Sequence, residues 1–117
     1  MGDFNDTPTD PSIKDILCND DVLVNLFTDG KKLGFEGTLK HQFTWQIFDQ
    51  IIVSNSLIDN DIGLIYKRNS AQIFHADFLF EKDESFGGVR LFRTYVGPKY
   101  FGGYSDHLPV FIDLIYP

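Results

Sequence analysis

Apolar positions along this chain come in short groups broken by turn-forming residues, and helical spacing never persists for long. Thr7-Pro8-Thr9-Asp10-Pro11-Ser12 is turn chemistry, and Ser12 is placed to cap a short helix through Ile16 or Leu17. Val22, Leu23, Leu26 and Phe27 recur at spacings of three and four. That predicts a second short helix, capped by Asp21 or Asn19 and ended by Asp29-Gly30. The pattern then changes to strands, over residues 35–41 and 45–54. The second of these puts Ile47, Asp49, Ile51 and Val53 on one side, with Phe48, Gln50 and Ile52 on the other. Residues 55–61 hold Leu57 and Ile58 between polar neighbours, which predicts a turn of helix.

Residues 64–67, 71–80 and 91–96 read as further extended pieces, and residues 108–116 as a final strand. Between them, residues 82–88 form a charged, glycine-containing surface loop. Gly97-Pro98 and Gly102-Gly103 punctuate an aromatic loop. Strands outnumber helices and no long helix is expected. The class is α/β with a mainly antiparallel sheet, in preference to a doubly wound parallel one.

Composition narrows this picture. A chain of 117 residues suits one domain and is short for two. Apolar residues at 43% and twelve Phe exclude a disordered chain. No apolar run approaches the length of a membrane-spanning helix. The formal net charge of −7 argues against loose electrostatic binding to nucleic acid, which needs Lys and Arg to displace counterions. It is compatible with a metal-dependent phosphoesterase, whose carboxylates are neutralised by the cation. Cys18 is the one cysteine, so neither an internal disulfide nor a cysteine zinc cluster can form, and a small buried thiol is expected.

Three stretches carry candidate chemistry. Gly2-Asp3-Phe4-Asn5 sets an Asp and an Asn two residues apart, so both project to one side of an extended chain. Ile47-Phe48-Asp49-Gln50-Ile51-Ile52-Val53-Ser54 places an acid inside an apolar strand, which is costly unless the carboxylate is paired or faces water at an edge. A histidine ring N–H would satisfy it and fix the tautomer of that ring. Tyr104-Ser105-Asp106-His107-Leu108-Pro109-Val110 puts a carboxylate and an imidazole just before a buried strand. An Asp-His pair in a loop is by itself most often a solvated pair.

Taken together and in this order, the three stretches resemble the endonuclease/exonuclease/phosphatase superfamily. Its members include deoxyribonuclease-type and abasic-site endonucleases and phosphoinositide or sphingomyelin phosphodiesterases. Gly37-Thr38-Leu39-Lys40 and Phe92-Arg93-Thr94-Tyr95 also look like bacterial members without a settled substrate. Many members have Arg-Ile-Asp-Tyr where this chain has Ile47-Phe48-Asp49-Gln50, a departure that bears on substrate more than on Asp49.

The resemblance implies a divalent-metal-dependent hydrolase of a phosphodiester or phosphomonoester, with Mg²⁺ or Mn²⁺ as cofactor. Asp3 would orient or deprotonate the attacking water, and Asn5 would hold the phosphate or the transition state. His107 would contact the scissile phosphate with Asp49 behind it, and Asp106 would bind the metal. Nucleic acid stays open as a substrate without support from the charge, beside lipid, phosphoinositide and small phosphoesters. Localisation stays open between the bacterial cytoplasm and the periplasm or exterior.

The family pattern covers residues 1–117 as the C-terminal half of a four-layer α/β sandwich. Under that resemblance the chain is expected to be a partial domain, inactive alone, whose partner half supplies an Asn and a metal-binding Glu. Phe4, Ile51, Val53, Val110 and Ile112 are then expected to face an uncovered apolar surface and to promote self-association. The alternative is a non-catalytic family member, or a half-domain acting as an interaction module. His75 is expected to be structural, and so is His41, which otherwise lines the cleft. Trp45 and the Tyr100-Phe101 pair lean to the core over a substrate platform, and Arg93 could meet a phosphate but is expected as an exposed strand residue. Asp3-Phe4-Asn5-Asp6 begins like a calcium loop, but Pro8 stands where that loop needs Gly, and the match is rejected.

Overall fold

The structure, a computed structural model, describes residues 1–60 and 62–116. It is mostly strand, with few and short helices. Among the described residues, every sheet is a two-stranded antiparallel pair. Three are local hairpins: Leu39–His41 with Thr44–Gln46, Phe80–Lys82 with Val89–Leu91, and Tyr95–Val96 with Lys99–Tyr100. The others join distant parts of the chain. Gly2–Asp3 pairs with Asp49–Gln50, and Leu23–Asn25 pairs with Ile52–Ser54. Gln72–Ile73 pairs with Val110–Phe111, and Ile65–Tyr66 pairs with Leu114–Ile115.

The short helix at Ser12–Leu17 forms as expected, but Ser12 does not cap it. Its hydroxyl donates instead to the Asp6 carboxylate. The second expected helix does not form, because Leu23–Asn25 is a strand. Asn25 is the reason: its side chain accepts from the Phe27 N–H at 2.9 Å and donates to Gln50 Oε1 at 2.7 Å, giving the backbone a non-helical alternative. Beta-branched Val22 and Val24 weigh the same way. A single turn stands at Asn55–Leu57, and Asp61, the expected end of that segment, lies outside the described residues.

The strand expected over residues 45–54 is broken. At Ile51 the segment changes partner, from Gly2–Asp3 to Leu23–Asn25. Gln50 and Ile51 are consecutive and both buried, at 0% and 6% exposure, which uninterrupted period-two alternation on a one-sided sheet does not allow. The final strand is likewise split at Ile112-Asp113 between two partners.

One core gathers Phe27, Leu33, Ile51, Ile73, Leu79 and Leu108 with smaller contributors. Trp45 packs edge-on to Phe35 at 5.0 Å, as a core residue should. Tyr100 and Phe101 do not follow that expectation: both are exposed, on and beside a hairpin arm. Ile51 is buried, and Val53, Val110 and Ile112 pack on the core, so the expected uncovered face is not built from them. Other residues carry it. Of the twelve Phe, Phe27 alone is fully buried. The Cα radius of gyration is 16.0 Å, against roughly 13 Å for a compact chain of this length.

Candidate active site

Backbone pairing brings the first two motifs together. Asp3 stands opposite Asp49 in the antiparallel register, so both carboxylates project from one face. The Phe4 N–H continues the pairing by donating to the Phe48 carbonyl at 2.9 Å. The chain then turns sharply: Asn5 has φ 54°, a left-handed conformation that Asn tolerates, and its N–H donates to Asp3 Oδ1 at 2.8 Å. That bond fixes the Asp3 carboxylate from behind.

A second device holds the strand beneath. Gln50, fully buried, donates from Nε2 to the Asp6 carbonyl at 2.6 Å and accepts from Asn25. It ties residues 2–6, 23–25 and 49–50 into one unit. Gln50 therefore acts as an internal strut.

The third motif arrives through Thr38, which is also fully buried. Its hydroxyl accepts from the Phe48 and Asp49 N–H groups, both at 3.1 Å. Its carbonyl accepts from the Leu108 N–H at 2.7 Å. One threonine thus links the strand that carries Asp49 to the residue after His107. Gly37 precedes it because a Cβ there would stand 2.7 Å from backbone atoms of Gln46.

His107 is held at both ends. Its Nδ1–H donates to Asp49 Oδ2 at 2.6 Å, which leaves Nε2 as the working nitrogen. Nε2 lies 4.0 Å from Asp3 Oδ2. That gap is too long for a direct hydrogen bond and suits an oxygen bonded to both groups. The backbone N–H of His107 donates to Ser105 Oγ at 3.1 Å. Exposure falls from Asp3 at 39% through His107 at 25% to Asp49 at 16%, so the ring faces solvent and its orienting acid is recessed.

The structure therefore brings together Asp3, Asp49 and His107, with Asn5 attached through its backbone. The Asn5 side chain is exposed and makes no hydrogen bond among the described residues. Asp106 is exposed, with no hydrogen bond or ion pair to the other three. His75 is structural on geometry, its Nδ1 2.9 Å from the Ile73 carbonyl oxygen and its ring stacked on Phe35. Thr38, Gln50 and Asn25 escape sequence reading, since only burial separates them from ordinary strand polar residues.

A carboxylate such as Asp106 is the right donor type for Mg²⁺ or Mn²⁺. Among the described residues, however, no three His, Cys, Asp or Glu side chains converge to hold an ion. The donor set present does not make a divalent site on its own.

The family model of the endonuclease/exonuclease/phosphatase family matches residues 1–115. The chain belongs to that family. Members are typically hydrolases with phosphoesterase or nuclease-type activity and generally depend on a divalent metal. No curated protein and no solved structure gives a significant match. Within the family domain, the carboxylate-imidazole-carboxylate arrangement falls on the three stretches that carry the resemblance.

Proposed function

We propose that this chain carries the phosphate-handling half of a divalent-metal-dependent phosphoesterase. The observation that carries the reading is His107 held at Nδ1 by Asp49 with Nε2 facing Asp3 across 4.0 Å. A phosphoryl oxygen meets Nε2 of His107, and the protonated ring, its Nδ1–H held by Asp49, donates from Nε2 to it or to the leaving oxygen as charge builds there. Asp3, on the opposite side of the gap, orients the attacking water and takes its proton. Asn5, two residues on, supplies a side-chain amide toward the phosphate, and Asp49 keeps the ring in one tautomer. Asp106 is one oxygen ligand of Mg²⁺ or Mn²⁺, the others coming from outside the group described.

The fold that accompanies this function is part of a four-layer α/β sandwich in which these antiparallel pairs are one contribution. The elongated shape and the two-stranded sheets support it. Hydrolysis of bis(p-nitrophenyl) phosphate by the full-length protein with Mg²⁺ or Mn²⁺ tests the reading. Turnover abolished by EDTA and by His107→Ala is expected. Turnover that survives His107→Ala overturns the assignment.

One observation favours a second reading, an interaction module. Twenty large apolar or aromatic side chains are exposed among the described residues, against ten buried hydrophobic ones. That proportion fits a surface meant to be covered.

A further inference from the structure

A cleft of about 460 Å³ is lined by Lys40, His41, Phe86, Arg90, Arg93 and Phe101 among others. None of Asp3, Asn5, Asp49, Asp106 or His107 lines it. The volume falls in the range of small-molecule sites. Its charge is unusual for a chain of net −7: three fixed cations, Lys40, Arg90 and Arg93, against two carboxylates, Glu81 and Asp83.

Both carboxylates are already engaged. Lys40 Nζ lies 2.7 Å from Asp83 Oδ2 and also donates to the Gly87 and Val89 carbonyls, at 2.7 and 3.0 Å. Arg90 Nε lies 2.7 Å from Glu81 Oε1. Arg93 is left over. It is half-buried, and its guanidinium makes no ion pair and no hydrogen bond among the described residues. Its backbone is fixed, the carbonyl accepting from the Gly103 N–H at 3.0 Å. The guanidinium has no carboxylate partner among the described residues, and its planar fork matches phosphate oxygens. Phe86 and Phe101 line the same cleft and are partly exposed, Phe86 packed edge-on to Phe43 and Phe101 with Lys99 Nζ 5.0 Å from its ring centroid.

We infer that this cleft binds an aromatic phosphate, the phosphate held by Arg93 and the ring laid on Phe86 and Phe101. The walls are joined to the candidate site at two points. Lys40 and His41 follow Thr38 in the chain, and the loop from Phe101 to His107 is anchored by the Thr94 hydroxyl, which donates to the Gly103 carbonyl at 3.1 Å. Taken with the phosphoesterase reading, on which this step rests, the cleft takes the non-reacting end of a substrate bearing a second phosphate.

Titration of the chain with phenyl phosphate, followed by ¹H–¹⁵N correlation spectra, tests the inference without any turnover. Saturable shifts at Phe86, Arg93 and Phe101 are expected, with affinity about tenfold above that for inorganic phosphate or phenol. Arg93→Gln should weaken binding about tenfold, Arg93→Lys less, and His107→Ala not at all. The same spectra report whether each variant is folded. Shifts centred on Asp3, Asn5 and His107, no saturation by about 10 mM, equal binding of inorganic phosphate, or indifference to Arg93→Gln would each overturn it. Loss of hydrolysis in any variant bears on the phosphoesterase reading alone and leaves this titration untouched.

Discussion

Asp3 and Asp49 are direct cross-strand partners, and the His107 ring reaches both of their carboxylates. Like charges facing each other across an antiparallel pair repel, and natural sheets avoid the arrangement without a reason. Here the imidazole intervenes. The three side chains come from the end of one strand, the start of its partner and a loop, and backbone pairing alone fixes two of them.

From this follows a coupling prediction. His107→Ala is expected to lower kcat roughly 10²–10⁴-fold, the range for a positioned proton-transfer group. Asp49→Asn should cost as much or less, because Asp49 acts through the ring. The double variant should be no worse than His107→Ala alone. Additive losses in steady-state kinetics would show that Asp49 works independently.

Thr38 gives a prediction that separates positioning from contact with substrate. Thr38→Val keeps the shape but removes the acceptor for the Phe48 and Asp49 N–H groups in a fully buried place. Leaving buried donors unsatisfied costs about 1–3 kcal/mol, measurable as a lower urea midpoint. Thr38→Ser should restore most of it. Stability unchanged in Thr38→Val would remove Thr38 from its linking role.

These residues also show what was legible beforehand. Asp3, Asp49 and His107 stand out in the sequence because each breaks an apolar or strand-like context at a motif. Their convergence depends on pairings between segments far apart in the chain, so only the resemblance joined them. Thr38, Gln50 and Asn25 look like ordinary polar residues of strands, and their importance comes from burial, which a single sequence does not display. The helix expected over Val22 to Phe27 failed for the same reason. Its spacing was helical, but the Asn25 side chain had a distant partner in Gln50. Lys40 and Asp83 were assigned to a strand and a surface loop, yet they form a buried pair at 2.7 Å.

That pair predicts a pH dependence. The Asp83 carboxyl is held below the usual carboxylate range, first by the hydrogen bond from Lys40 and then by the Phe86 N–H. A group depressed in the folded state contributes fully above its unfolded value, about 3.9 for Asp, and loses that contribution as pH falls through the folded value. Wild-type stability should therefore drop below about pH 4 more steeply than that of Asp83→Asn. The difference between their urea midpoints, followed from about pH 6 to about pH 2, isolates this carboxyl from the others. Parallel curves would mean that the pair has no part in acid unfolding.

The last prediction concerns the surface. Every strand described has one strand partner, so these two-stranded sheets present edges not covered by another strand, one of them met by the Leu33 carbonyl, which accepts from the Ile73 N–H at 2.8 Å. Beside these edges lie Phe43, Phe74, Phe78, Phe111, Leu114 and Ile115, all exposed. Each large apolar side chain left in water forgoes about 1.5–3 kcal/mol of burial, a large fraction of a domain's net stability of about 5–15 kcal/mol. Covering them by a second copy recovers part of that and satisfies the edges together. The isolated chain is therefore expected to self-associate, with the weight-average mass rising with concentration in sedimentation equilibrium. Phe111→Asp, on a strand whose neighbours face the core, should shift the equilibrium toward monomer. A monodisperse monomer with sharp cooperative unfolding across the same concentrations would show that the chain closes its own core, and the second reading of its function would fall with it.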